Sequence, residues 1–240
     1  VGNGWREQMI CAMKAEAKVR GNVDEVVLLN RDTDTAGQIS DITSLISQGV
    51  DAILLNPGDQ EAFNAVKRLV PGGGKVMGIG VRPGISTTDA RDAGFKSAVG
   101  ASGGKYTFIG QEYSENEPSK AAQITTAAIA ANPDLKAIFA SNLFSAQGAA
   151  TGIKQAGKEG QIIVIGFDAG PDQVKALKAG TVQALIAQSP YDIGTKAVEQ
   201  AVKAMDGMKT KKKMTTGFTI LTAGNVNTKA GKAAQYLSKC

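Results

Sequence analysis

The chain contains no histidine. That absence removes the commonest general base and a common zinc ligand, and with them most triad and metal-assisted mechanisms. Its two cysteines, Cys11 and Cys240, stand at opposite ends of the 240 residues and have no metal-ligand spacing. Two free buried thiols and one disulfide both fit that count, the second only in an oxidising compartment. No run approaches the roughly 18 to 20 apolar residues needed to span a bilayer. The opening Val1-Gly2-Asn3-Gly4-Trp5 lacks the basic, apolar and small-residue succession of a signal peptide, although a removed signal would leave the same start.

What is present is a globular composition, 42% hydrophobic and 20% charged, long enough for one large domain or two lobes. The formal charge is +5 and the pI about 9.1. The densest basic run, Lys209 to Lys213, has no neighbouring aromatics to stack bases, and the remaining lysines are scattered. Those charges are expected to be solvated surface, with no nucleic-acid partner.

Several apolar runs end in an amide or a carboxylate. Val26-Val27-Leu28-Leu29 runs into Asn30, Ala52-Ile53-Leu54-Leu55 into Asn56, Ala137-Ile138-Phe139-Ala140-Ser141 into Asn142, and Ile162-Ile163-Val164-Ile165-Gly166-Phe167 into Asp168. Continuous apolar runs suit strands buried on both faces, and in an open parallel sheet the ligand crevice lies beyond the strands' carboxyl ends. Helical patterns at 5–20, 35–48, 60–69, 88–99, 119–131, 145–156, 171–178 and 192–206 alternate with strand patterns at 26–30, 52–55, 75–79, 106–110, 136–140, 162–166 and 181–187. Alternation with short connections predicts an α/β fold with parallel crossovers and helices on both faces of the sheet.

The segments Gly49-Val50-Asp51-Ala52-Ile53-Leu54-Leu55-Asn56-Pro57, Thr88-Asp89-Ala90-Arg91-Asp92-Ala93-Gly94-Phe95, Gly166-Phe167-Asp168 and Ile186-Ala187-Gln188-Ser189-Pro190-Tyr191-Asp192-Ile193-Gly194 resemble periplasmic sugar-binding proteins of the ribose-binding type. The resemblance runs through nearly the whole chain in the right order. It implies two Rossmann-like lobes with parallel sheets, joined by a multi-strand hinge and closing on one monosaccharide or polyol. It also implies a monomeric periplasmic protein that delivers the sugar to a membrane ABC permease and needs no cofactor. On the family pattern the first lobe takes residues 1–70 and about 189–217, and the second takes 71–188 and about 218–240. Against that pattern the chain lacks a strand before Val1 and a strand, hinge crossing and helix near residues 68–74. With them goes an aspartate, and often an arginine, that grips sugar hydroxyls.

Sugars present hydroxyls that planar carboxylates, amides and guanidinium groups hold in pairs, and C–H faces that an aromatic ring covers. The resemblance assigns such roles to Trp5, Asn56, Arg91, Asn142, Phe167, Asp168 and Gln188. Each has a plainer reading: a core tryptophan, a turn before Pro57, a surface ion pair between Arg91 and Asp89 or Asp92, helix caps at Asn142 and Asp168, and a satisfied hinge amide at Gln188. Arg82 and Asn116 occupy positions that are often apolar or aromatic in ribose binders, which points to a ligand with another hydroxyl pattern. A disulfide between Cys11 and Cys240 is in keeping with an exported family.

Two other functions compete. Gly78-Ile79-Gly80-Val81-Arg82-Pro83-Gly84 follows a strand, yet its third glycine is one place late for a dinucleotide loop and no acidic residue ends a strand about twenty positions on. A nucleotide-dependent α/β enzyme is therefore disfavoured. The effector-sensing module of a lactose-repressor-like regulator would share the fold but requires an attached DNA-binding head; none precedes Val1, although a trimmed head would leave the same start.

Overall fold

Near-continuous apolar runs with small residues between them dictate strands covered on both faces, and that is the arrangement the chain adopts. The computed structural model describes residues 4–28, 44–45, 47–48, 50, 62–211 and 214–237. Their elements are α1 (Gly4–Arg20), α2 (Ala62–Leu69), β1 (Gly74–Gly80), α3 (Ser86–Gly100), β2 (Tyr106–Tyr113), α4 (Pro118–Ala131), β3 (Leu135–Ala140) and α5 (Leu143–Gln155). They continue with β4 (Ile163–Phe167), α6 (Pro171–Lys178), β5 (Ala184–Ala187), α7 (Pro190–Met205), β6 (Thr219–Leu221) and α8 (Lys229–Ala233).

The six strands form one sheet in the order β2-β1-β3-β4-β5-β6. The first five are parallel and β6 is antiparallel to β5. On one face Val76, Ala137, Phe139, Ile165, Phe167, Ala184 and Ile186 pack with Phe95 and Val99 of α3 and with Ala65 and Val66 of α2. The Phe95 ring lies 4.9 Å from that of Phe139, and Phe167 meets Phe218 edge-on at 5.7 Å. Each buried phenylalanine contributes about 1.5–3 kcal/mol. On the other face α5 and α6 cover the sheet, and α4 packs against α5.

The chain divides into two units, Val1–Asn56 with Ser189–Gly217 and Leu237–Cys240, and Pro57–Gln188 with Phe218–Tyr236. The sheet belongs entirely to the second. In the first, α1 packs on α7 through Ala17, Val198 and Val202. This division differs from the sequence-based one at residue 70. Ala65 and Val66, 2% and 0% exposed, sit among the phenylalanines of the sheet, so α2 packs with the second unit.

Other expectations are also revised. Residues 26–28 form no strand; Val27 and Leu28 are 38% and 44% exposed, and no strand of the described sheet pairs with them. The pattern at 52–55 lies outside the described residues, as does most of 35–48. The last parallel strand begins at Ala184 rather than 181, because residues 179–182 form the turn after α6. Strand β6 and helix α8 are too short for periodicity to reveal.

Close packing of α4 on α5 depends on two glycines one turn apart. A Cβ on Gly148 would lie 2.3 Å from the Pro118 carbonyl oxygen, and one on Gly152 would lie 2.6 Å from that of Ala122. Backbone cannot yield as a flexible side chain does. Gly148→Leu is therefore expected to lower stability by about 2 kcal/mol or more, measured by urea unfolding, while Gly100→Ala, where a Cβ meets open space, should cost far less. Equal losses would show that the helix contact is not tight.

Candidate functional site

Strands β1, β3, β4 and β5 end side by side, and the polar residues that follow them converge there. Arg91 on α3 is 7% exposed. Its Nη1 donates to the Ser141 carbonyl just past β3 at 2.9 Å, and its guanidinium carbon sits 3.7 Å from the centroid of the Phe167 ring. Burial lowers its pKa from the usual arginine value, while the charge of Asp168 acts in the opposite direction. The surface-pair reading of Arg91 is therefore excluded: Asp89 instead accepts the Gly84 N–H at 2.9 Å.

Asp168 follows β4 with φ +79° and is 6% exposed. A non-glycine residue held in that region carries strain that surrounding bonds must hold. Its N–H donates to the Ile186 carbonyl at 2.9 Å. Its Oδ1 accepts from Gln188 Nε2 at 2.9 Å and from the Tyr236 hydroxyl at 3.2 Å. It does not cap α6, whose N-cap is Gly170; there Gln173 accepts from Gly170 N–H and donates to the Phe167 carbonyl. Gln188, 5% exposed, also donates its backbone N–H to the Tyr236 hydroxyl at 2.9 Å. Burial, then the nearby Asp168 charge, raises the Tyr236 pKa well above 10, so its hydroxyl is a donor at neutral pH.

Asn142 fulfils its plainer reading and does more. Its Oδ1 caps α5 by accepting Ser145 N–H at 2.9 Å, and its Nδ2 donates to Asn116 Oδ1 at 2.6 Å. Asn116, at φ +68°, closes the turn after β2. Arg82 is half-buried in the loop after β1, next to the carboxyl ends of the strands. Trp5 is half-buried in the first turn of α1, in the other unit. Asn56 lies outside the described residues. Cys11 is disulfide-bonded, and Cys240, the only other cysteine in the sequence, also lies outside them.

The structure thus brings together Arg91, Phe167, Asp168 and Gln188, with Asn142 and Asn116 as a second, amide-based pair. Sequence reading misses Tyr236, which carries no motif, and Asp92, noticed only as a flank of Arg91. Asp92 is 7% exposed. Glycines at 78 and 80 on β1 make room for it and for Gln111, because a Cβ on Gly80 would lie 2.4 Å from Asp92 Oδ2 and one on Gly78 would lie 2.0 Å from Gln111 Oε1. Ser141 and Gln111 face the carboxyl closely enough to favour its charge, yet neither they nor any other described residue completes a hydrogen bond to its oxygens. Burial, reinforced by Asp89 and opposed by Ser141, Arg91 and Gln111, pushes it up to about 6. A cavity of about 300 Å³ adjoins it, lined by Pro83, Asp89, Lys96, Gln111 and Tyr113.

A larger cavity of about 420 Å³, lined by Asn64, Lys67, Pro71, Lys105 and Tyr106, opens at the amino-terminal ends of β1 and β2. It lies away from the convergent polar groups, at the end of a parallel sheet where ligands do not ordinarily bind. Among the described residues no group of three or more metal-ligating side chains occurs, and no helix is long and apolar enough to cross a membrane.

The model of a family described as periplasmic binding protein domain matches residues 1–70 and 64–209. The ribose import binding protein of Salmonella typhimurium is 30% identical over 230 residues, covering 78% of this chain and 77% of the relative. That of Bacillus subtilis is 28% identical over 242 residues, covering 83% and 77%. An ABC transporter solute binding protein from Agrobacterium vitis, bound with α-D-tagatopyranose, superposes with a TM-score of 0.84 at 26% identity, covering 99% of this chain and 97% of that one. An alignment of 242 residues that uses 83% of a 240-residue chain includes positions at which this chain has no residue. The two family matches overlap at 64–70, in and just after α2, beside the place where the sequence suggests a missing segment.

The position of Asp92 gives a pH test. Its folded pKa, about 6, lies above the ordinary 3.8, so its contribution to stability is fully present below about 3.8 and is lost as pH rises through about 6. Asp92→Asn removes the buried charge. The variant should gain on the unmodified protein between pH 4 and 7, by about 3 kcal/mol at most. A stability difference in urea that stays flat across that range would show that Asp92 is not held in this way.

Proposed function

The chain belongs to the periplasmic binding protein domain family, and from that membership we propose that its second unit binds a monosaccharide or related polyol through Arg91, Phe167, Asp168 and Gln188. The chain is a solute-binding component of an ABC importer, and its relatives are transport proteins rather than enzymes. The family places it in the periplasm. Its partners in this reading are the sugar and a membrane permease, and it acts as a monomer with no cofactor.

The observation that carries the sugar reading is the buried network itself. A guanidinium, a carboxylate and a side-chain amide converge beside a phenyl ring at the carboxyl ends of parallel strands. These groups are planar and suited to neighbouring hydroxyls, and their fixed geometry limits the entropy lost on binding. Asn142 and Asn116 add donors and acceptors at the same edge, and Arg82 extends the polar rim. The family resemblance further proposes Trp5 and Asn56 as ligand groups, Trp5 to cover a C–H face. The relatives named above import ribose or hold tagatopyranose. Polar side chains at 82 and 116 favour a ligand other than ribose.

Titration of the protein with pentoses, hexoses and polyols by calorimetry should show one ligand binding more tightly than millimolar. For that ligand Asp168→Ala should lose at least about 100-fold in affinity, since each hydrogen bond to a charged group is worth about 1.5–3 kcal/mol. Binding by none of the panel overturns the sugar reading; normal affinity in the variant removes Asp168 from the site. We further infer that Cys11 pairs with Cys240. Unreduced protein, denatured and treated with a thiol reagent, should then show no free thiol, whereas two would exclude the bond.

A further inference from the structure

The residues closest to the points where the chain passes between its two units are the same residues that surround Asp168. Gln188 is the last residue of the second unit before Ser189, Phe218 is the first after Gly217, and Tyr236 is the last before Leu237. Gln188 donates to Asp168, Phe218 packs edge-on against the Phe167 ring that carries Arg91, and Tyr236 joins Gln188 to Asp168.

Tyr236 arrives from a segment fastened to the strand end by its own backbone. Its N–H donates to the Ala169 carbonyl at 2.9 Å, one residue beyond Asp168. Upstream, Asn225 holds the turn after β6, accepting Thr222 N–H at 2.8 Å and donating to the Ile220 carbonyl at 2.8 Å. Thr228 caps α8. The ring is 3% exposed, so its hydroxyl has no water to fall back on. It accepts from a backbone N–H and donates its one proton to a carboxylate oxygen, linking the two.

We propose that Tyr236 is a positioning residue of the ligand site, its hydroxyl fixing the rotamer of the Asp168 carboxylate and the path of the backbone at Gln188 at once. This rests on the reading of Asp168 as a ligand group. With Oδ1 held by two protein donors, the carboxylate is oriented before any ligand arrives, and the geometry needed for paired hydroxyls is not recovered at the ligand's expense. Loss of the phenolic oxygen leaves Gln188 N–H buried without an acceptor and lets the carboxylate turn.

The test is Tyr236→Phe, which keeps the ring and removes only the hydroxyl, read by calorimetry with the panel sugar that the unmodified protein binds. Affinity should fall by about ten- to a hundred-fold. The acid limb of the binding profile should also move to higher pH, because a carboxylate that loses a donor takes up its proton more readily. Tyr191→Phe, at a tyrosine that is 57% exposed, should change neither affinity nor profile. Unchanged affinity and profile in Tyr236→Phe overturn the proposal and leave the sugar reading intact. So does an equal change in Tyr191→Phe, or a Tyr236→Phe protein that does not fold, since either makes the hydroxyl's role merely structural. Absence of any sugar binding in the unmodified protein overturns both.

Discussion

A guanidinium that is nine-tenths buried has to be compensated, and around Arg91, whose Nε has no hydrogen-bond partner among the described residues, this one requirement organises the ends of two strands. The β3 terminus supplies a carbonyl acceptor, β4 supplies the face of Phe167, and Asp168 supplies opposite charge. Each contribution fixes something else. Phe167 can lie under Arg91 only because it continues the face built from Phe139 and Phe95. Asp168 stands near the arginine in a left-handed backbone conformation, which the bond from its N–H to Ile186 helps to hold. The sheet core and the polar cluster are therefore one construction.

Much of this was legible in the sequence, and the reasons are specific. The run ending at Asp168 is buried on both faces, so its polar terminus stood out, and the same logic located Asn142 and Gln188. Cap chemistry was readable at Asn142 because an amide before a helix has few alternatives. It misled at Asp168, where Gly170 and Gln173 take that role and leave the carboxylate to the cluster. Tyr236 was invisible because its importance comes from a contact 68 residues distant along the chain. Asp92 was hidden for a related reason: a charged residue beside other charges on a helix reads as surface, and only the glycines of β1 make room for it inside.

Helix α2 shows how packing overrides a reading by order along the chain. Its pattern of Ala65, Val66 and Leu69 would suit either unit, and the family model matches its residues 64–69 twice. The phenylalanine cluster decides the matter, since Val66 is completely buried there. A short amphipathic helix is defined less by its own sequence than by the apolar surface it covers.

A protein with no histidine would be expected to be silent between the ranges of carboxylic acids and amines. Asp92 breaks that silence, for its burial places a single carboxyl near pH 6 at the end of β1. The consequence is spectroscopic: the carboxyl carbon of that one aspartate, in carbon-13-enriched protein, becomes a probe whose chemical shift against pH reports on how tightly the strand ends are packed.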